Sequence, residues 1–418
     1  MGLANLNILV SAGEVSGDLY AGQIIKALKE KTSAENIDLK VWGMGGEKLA
    51  KRNAEIIQDS SNLGIIGGIE IVKNLLFFKN LLDKFAEEIK LRQPDIALLI
   101  DYPGFNLRLC EIIRQNAPNC RIIYFVAPQV WAWGQSRIKK LPGLIDRLLV
   151  ILPFEEELHK KAGSSVKYVG NPSAYYMNHL KDFDKTEIFD YFKLDPKKAT
   201  IGIFPGSRNR EIDFMLPIFL ETAKILKAAR EDIQFILVKS SNIKEEKFQK
   251  IFKKYNISQD MFISITGKSH FILKSIDLAW LTSGTVTLEC ACAGTPLILG
   301  YKEFPPFWKI FELISKVKNI GLPNIVAEEK VCPELLQEDC IPENWLNLTE
   351  RFLSSREQWQ NMKNELYEKI YLKLQPDLNP FENVSEEILK AYKLNMLCEK
   401  NKKYIQKRAE ENSKQKSR

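Results

Sequence analysis

Four short stretches combine glycine with side chains that bind anions or move a proton. In TSGTVTLE, residues 282–289, an apolar strand runs into Ser283, Gly284 and Thr285, and a helix starts there. Small residues let backbone N–H groups face a ligand, and the positive end of the helix suits a phosphate. Glu289 follows about one turn later, where a carboxylate accepts hydrogen bonds from two vicinal hydroxyls such as those of a ribose. The same residues also read as an ordinary capped helix, with Glu289 favouring the dipole. Asp101 follows the apolar run Ala97-Leu98-Leu99-Ile100 and precedes Pro103-Gly104. It is either a rigid, partly desolvated general base acting on a hydroxyl or a turn aspartate. Arg208 follows Phe204-Pro205-Gly206-Ser207. Its guanidinium either binds a leaving diphosphate bidentately or pairs locally with Glu211. In SAGEVSGD, Glu14 and Asp18 either complement a helix dipole or face a ligand that the glycines let approach.

The elements that must position these residues are short, continuous apolar runs. One series is Ile8-Leu9-Val10, 97–100, 122–126 and 148–152; a second is 201–204, 235–238, 262–265, 278–281 and 297–299. Continuous rather than alternating apolarity implies parallel strands covered on both faces. The two series therefore predict an α/β chain with two doubly wound, Rossmann-like parallel-sheet domains. Ligands bind outside the carboxyl ends of such strands. The polar loops then gather on one edge of each sheet, and two facing edges make an interdomain cleft. The expected division is residues 1–172, residues 173–365, helices over 366–397 that return to the first domain, and a basic, frayed tail over 398–418.

The 418 residues are 45% hydrophobic, enough for real cores, and the net charge of +7 is modest. Much of the excess lies in the tail, so nucleic acid is not an expected partner. Seven cysteines without metal spacing imply reduced thiols in a cytoplasmic protein, and three scattered histidines leave no basis for a metal site or a serine–histidine triad. No signal peptide or uninterrupted apolar span is expected. Two stretches are unusually apolar: residues 63–82, with Phe77 and Phe78, and residues 304–314, with Phe307 and Trp308. With Lys73, Lys79, Lys302 and Lys309 nearby, they suit the surface of an anionic membrane or, alternatively, helix core.

Taken together, the chain resembles the lipid-A-disaccharide synthase family, inverting glycosyltransferases of GT-B architecture. The marks are SAGEVSGDLYAG (11–22), WGMGG (42–46), DYPGFNLRL (101–109), YFVAPQVWAWGQSRIKKL (124–141), LPFE (152–155), VGNP (169–172), PGSRNREI (205–212), TSGTVTLE and GLPNIVA (321–327). The resemblance implies a UDP-linked diacylglucosamine donor, a diacylglucosamine 1-phosphate acceptor, and a β-1,6-linked disaccharide phosphate plus UDP as products. It implies an enzyme peripheral to the inner face of the inner membrane and no cofactor or metal. By it, Asp101 is the base and Arg208 an active-site position. Gly206, Ser207, Ser283, Gly284, Thr285, Glu289 and Asn324 lie on the donor side. Glu14, Ser16, Asn106 and Gln129 lie on the acceptor side. Glu328-Glu329-Lys330 is more acidic than the family pattern. Two other classes stay open: a UDP-sugar epimerase of the same shape, and a nucleotide-sugar binding protein without catalysis. The nearest transferase rival acts on a lipid-linked peptidoglycan precursor.

Overall fold

The computed structural model describes residues 4–60, 75–128, 135–314 and 319–416. Gln129 and residues 63–74 of the first apolar stretch lie outside them. Two parallel sheets organise the chain. The first comprises β1 (Ala4–Ala12), β2 (Ile37–Gly45), β3 (Glu55–Asp59), β4 (Ile96–Ile100), β5 (Arg121–Phe125), β6 (Arg147–Val150) and β7 (Val166–Tyr168), in the order β3-β2-β1-β4-β5-β6-β7. The second comprises β8 (Ala199–Phe204), β9 (Ile233–Lys239), β10 (Phe262–Thr266), β11 (Leu278–Thr282), β12 (Leu297–Tyr301) and β13 (Glu334–Leu336), in the order β10-β9-β8-β11-β12-β13.

Continuous apolarity has the expected cause. Ile8 and Val10 of β1 and Leu98 and Ile100 of β4 enter the core on one face of the first sheet. Leu9, Ala97 and Leu99, pointing the other way, enter the core on the opposite face. All are fully buried, each large one contributing roughly 1.5–3 kcal/mol. In the second sheet, Trp280 of β11 is fully buried against Phe219, Phe235 and Trp345. Its indole N–H donates to Thr349 Oγ1 at 3.0 Å, so β11, which leads into the TSGT turn, is firmly seated.

The chain leaves the first sheet after β7 and later returns beside its own exit. The Tyr168 hydroxyl donates to the Leu374 carbonyl at 2.6 Å, and Asn383 Nδ2 donates to the Val169 carbonyl at 2.9 Å. The Pro380–Lys416 helix then lies on the first sheet, burying Phe381, Val384, Ile388 and Tyr392 beside Ile8 and Val10. Glu387 anchors it by accepting from Arg147 at 2.8 Å and Lys167 at 3.0 Å. Its backbone stays helical to Lys416, where the composition suggested a frayed tail from 398.

Candidate active site

Each sheet reverses its strand order once, between β1 and β4 and between β8 and β11. At such a switch point adjacent loops leave in opposite directions and open a crevice. The loops there are 13–14 and 101–102 in the first domain, and 205–208 and 283–284 in the second. The four motif-bearing turns therefore occupy the two crevices that the topology provides.

Asp101 sits at the end of β4 in the left-handed region, with φ 47°, and Tyr102 follows with φ 50°. Two consecutive non-glycine residues there are strained and persist only when their surroundings hold them. The Asp101 N–H donates to the Phe125 carbonyl at 2.9 Å. The Asp101 carbonyl accepts from Asn106 Nδ2 at 2.7 Å and from the Tyr124 hydroxyl at 2.6 Å. The Tyr102 ring lies where a side chain at Gly13 would be, and a Cβ there would clash with it. Burial pushes the Asp101 carboxyl up to about 7, with the Glu14 charge adding to the effect; the Tyr102 N–H and Arg208 act the other way. A carboxylate poised near neutrality is suited to take a proton from a hydroxyl.

Across the cleft, Gly206 has φ 113°, and a Cβ on it would meet Glu211 at 2.6 Å. Glu211 is almost fully buried. Its Oε2 accepts from the Ser207 and Arg208 N–H groups at 2.8 and 3.1 Å, closing the N-terminus of the Asn209–Ala229 helix. That helix end already holds an anion of its own. The Thr285–Ala293 helix differs: its Gly284 cap gives no side-chain cap bond, and Gly284 and Thr285 are exposed. Among the described residues, no atom beyond its chain neighbours lies within 4 Å of where a Gly284 Cβ would stand. A phosphate therefore has room at this second helix end and not at the first. Ser283 is committed within the fold, its N–H to the Gly300 carbonyl at 3.0 Å and its hydroxyl to the Ile320 carbonyl at 3.3 Å.

Arg208 pairs with Glu211 and feels the charge of Glu14 from the other domain. One guanidinium nitrogen lies 3.1 Å from Glu211 Oε1, and the side chain is 56% exposed. The charges of both Glu211 and Glu14 raise its pKa despite partial burial. Glu14 thus acts on Asp101 in its own domain and on Arg208 in the other. Glu289 projects from the Thr285–Ala293 helix with Oε2 3.6 Å from His270 Nε2. Burial raises the pKa of Tyr20, from the first domain, and of Tyr176, and the Glu289 charge adds to both shifts.

Comparison with known proteins decides the family. The Lipid-A-disaccharide synthetase family model matches residues 8–415. The chain is 34% identical over 337 residues to a Lipid-A-disaccharide synthase of Trichlorobacter lovleyi, covering 80% of this chain and 85% of that one. It is 32% identical over 360 residues to one of Nitrosococcus oceani, covering 86% and 90%. The chain belongs to the lipid-A-disaccharide synthetase family. It is accordingly a glycosyltransferase of lipid A disaccharide synthesis. Among solved structures it is similar to S. aureus MnaA with UDP, at a TM-score of 0.63 and 14% identity over 94% of this chain and 97% of that one. It is also similar to a glycosyltransferase of Rickettsia africae, at a TM-score of 0.53 and 12% identity over 95% and 99%. These likenesses show the GT-B fold alone.

Besides Ser283, three residues assigned to the site of this synthetase family member have other jobs in the fold. Asn106 is fully buried beneath the Asp101 turn, where its amide serves the backbone, so it is not an acceptor contact. Asn324 is likewise fully buried: Oδ1 accepts from the Val331 and Cys332 N–H groups at 2.8 and 3.0 Å, and Nδ2 donates to Glu334 at 2.7 Å. It joins the Leu322–Ala327 helix to β13 and does not face the donor. Phe78 is only 8% exposed and packs against Tyr102 and Phe105, so it is core beneath the base turn rather than membrane contact. Phe77 and Phe307 are exposed and Trp308 is half-buried, with its N–H donating to Glu312 at 2.7 Å. Ser16 is half-buried in the first turn of the Val15–Ala34 helix. Asp18 accepts from the Gly46, Lys48 and Leu49 N–H groups at 2.7, 2.9 and 3.1 Å, and so secures the WGMGG segment. Sequence reading missed Glu211 as an occupant of its own helix end. The signal was present, since a glutamate three residues past the cap position is a capping-box spacing.

Proposed function

We propose that the cleft transfers diacylglucosamine from UDP to the 6-hydroxyl of a diacylglucosamine 1-phosphate, with inversion at the anomeric carbon. The acceptor oxygen attacks that carbon, and its proton passes to the Asp101 carboxylate. The bond from the anomeric carbon to the β-phosphate oxygen breaks, and its electron pair leaves on UDP. Arg208 and the open end of the Thr285–Ala293 helix offset the charge that develops on the diphosphate. Glu289 receives the ribose hydroxyls. The observation that carries this reading is Asp101, held in a strained turn at a switch point and titrating near neutrality opposite Arg208.

Acylated substrates stay in a bilayer, since each CH₂ moved into water costs about 0.8 kcal/mol. The enzyme therefore works on the surface of the inner membrane, on its cytoplasmic side. No helix among the described residues is long and apolar enough to cross a membrane. Each domain instead carries an exposed apolar patch beside its own reactive turn. Leu76 and Phe77 are 76% and 39% exposed, and Phe77 adjoins Phe78, which packs on Tyr102. Phe304, Phe307 and Leu313 are 48%, 38% and 87% exposed, and the Arg210 guanidinium, just past Arg208, lies 5.1 Å from the Phe307 ring. The test is incubation with UDP-diacylglucosamine and the monosaccharide 1-phosphate, with mass spectrometry of the products. A tetraacyl disaccharide phosphate supports the reading; an epimerised donor, or free sugar without disaccharide, contradicts it.

A further inference from the structure

The left-handed Asp101-Tyr102 turn does not hold itself. The chain relaxes from such a conformation unless hydrogen bonds oppose it, and here two fully buried polar side chains meet on one carbonyl while a third, from another element, holds one of them. Asn106, in the first turns of the Pro103–Asn116 helix, reaches back to donate from Nδ2 to the Asp101 carbonyl at 2.7 Å and the Ile100 carbonyl at 3.2 Å. Tyr124, on the neighbouring strand β5, donates its hydroxyl to the Asp101 carbonyl at 2.6 Å. Ser11, on the strand at the other side of β4, donates its hydroxyl to Asn106 Oδ1 at 2.6 Å. The Ile100 and Asp101 carbonyls fix which end of the amide faces the turn, because they can only accept and so require Nδ2; the Ser11 hydroxyl then donates to the remaining Oδ1.

We propose that Ser11, Asn106 and Tyr124 form a clamp on the Asp101 main chain and are positioning residues for sugar transfer, aiming the carboxylate at the acceptor hydroxyl. The inference rests on Asp101 being the base. Its logic is geometric. Rotation of the 101–102 peptide out of the left-handed region would swing the Asp101 Cα–Cβ bond and carry the carboxylate away from the cleft. The Asp101 carbonyl is engaged by two side chains rather than by the sheet ladder, so these three residues set the turn together with the backbone bonds from the Asp101 N–H to Phe125 and from the Phe105 and Asn106 N–H groups to the Tyr102 carbonyl. A misplacement of about 1 Å at a reacting group costs on the order of a hundredfold in rate.

The test uses Ser11→Ala, Tyr124→Phe and their double variant, each of which removes a hydroxyl and keeps the shape. Ser11→Thr serves as the conservative rescue. Readouts are kcat, donor KM, UDP affinity and the acid limb of the kcat–pH profile. The groups that act on the Asp101 carboxyl are Glu14, Arg208, the Tyr102 N–H and the Tyr20 and Tyr124 hydroxyls. The double variant leaves the first three and Tyr20 in place. The expected result is a fall in kcat of roughly tenfold for each single variant and about a hundredfold for the double, with UDP affinity unchanged. The acid limb moves to lower pH as the loosened carboxylate gains water, and Ser11→Thr restores it. In an Asp101→Asn background the same changes cause no further loss, since residues acting through one group are not additive. Folded variants with parental kcat and acid limb, beside an inactive Asp101→Asn, overturn the clamp and leave the base assignment standing. An active Asp101→Asn overturns the base assignment, and the clamp with it. If the double variant does not fold, the single variants decide by the same criteria.

Discussion

Replacing Asp101 with asparagine is expected to stabilise the protein in a pH-dependent way. The carboxyl titrates near 7 in the fold and near the ordinary 3.8 when unfolded, chiefly because burial penalises its charge. Below about pH 4 it is protonated in both states and costs nothing. Between those values the folded state binds the extra proton, so its stability declines as the pH rises. Above about pH 7 the ionised carboxylate costs the full difference, about three units or about 4 kcal/mol as an upper figure. Asparagine has the same shape and no charge. The variant should therefore gain about 2–4 kcal/mol at about pH 8 and almost nothing at about pH 4. Urea unfolding of both proteins at these pH values, followed by tryptophan fluorescence, measures the gain. An asparagine variant no more stable at the higher pH than at the lower would show that the carboxyl is not held desolvated, and the near-neutral base would go with it.

Arg208→Ala should lower kcat/KM for the donor roughly 10- to 100-fold, the equivalent of a charge-assisted contact worth about 1.5–3 kcal/mol; unchanged donor kinetics would reduce Arg208 to a partner of Glu211. His159 is fully buried with both ring nitrogens unpartnered among the described residues, and burial lowers its pKa to about 4. Because the unfolded histidine takes its proton first, His159 favours folding above about pH 6.5 and loses that contribution, about 3 kcal/mol, as the pH falls toward 4. The stability difference between the parent and His159→Leu should shift toward the variant over that window, and a pH-independent difference would contradict it. Serine at Leu76, Phe77, Phe307 and Leu313 together should weaken sedimentation with anionic vesicles at all salt concentrations, since apolar burial is not screened; undiminished binding by the folded variant would refute docking through these patches.

Much of the architecture was legible because its cause is local. Ile8 to Val10 and Ala97 to Ile100 are apolar at every position, and only strands covered on both faces need that. The turns after them stood out because polar and glycine residues directly follow buried strands, and the strand order puts them at the two switch points. What spacing could not reveal was direction. Asn106 follows Asp101 closely and is polar, which suits a cleft residue and a buried brace equally; only the left-handed Tyr102 cap turns it beneath the strand. Asn324 was misplaced for a related reason, since its partners Val331, Cys332 and Glu334 are assembled by the fold. Phe77 and Phe78 are adjacent on a helix, so they point different ways, and the apolar run does not say which of them meets the core. The final helix reaches Lys416 although its last residues are charged, since its hold on the first sheet lies earlier, from Phe381 to Tyr392.

The central claim is that Asp101 takes the acceptor proton while the opposite crevice holds UDP. Its most direct test is Asp101→Asn, assayed side by side for UDP binding by calorimetry and for disaccharide formation under saturating substrates. The account predicts parental UDP affinity with turnover reduced about 100- to 10,000-fold, the typical loss on removing a general base. Turnover within about tenfold of the parent in the folded variant, or loss of UDP binding together with activity, would contradict it.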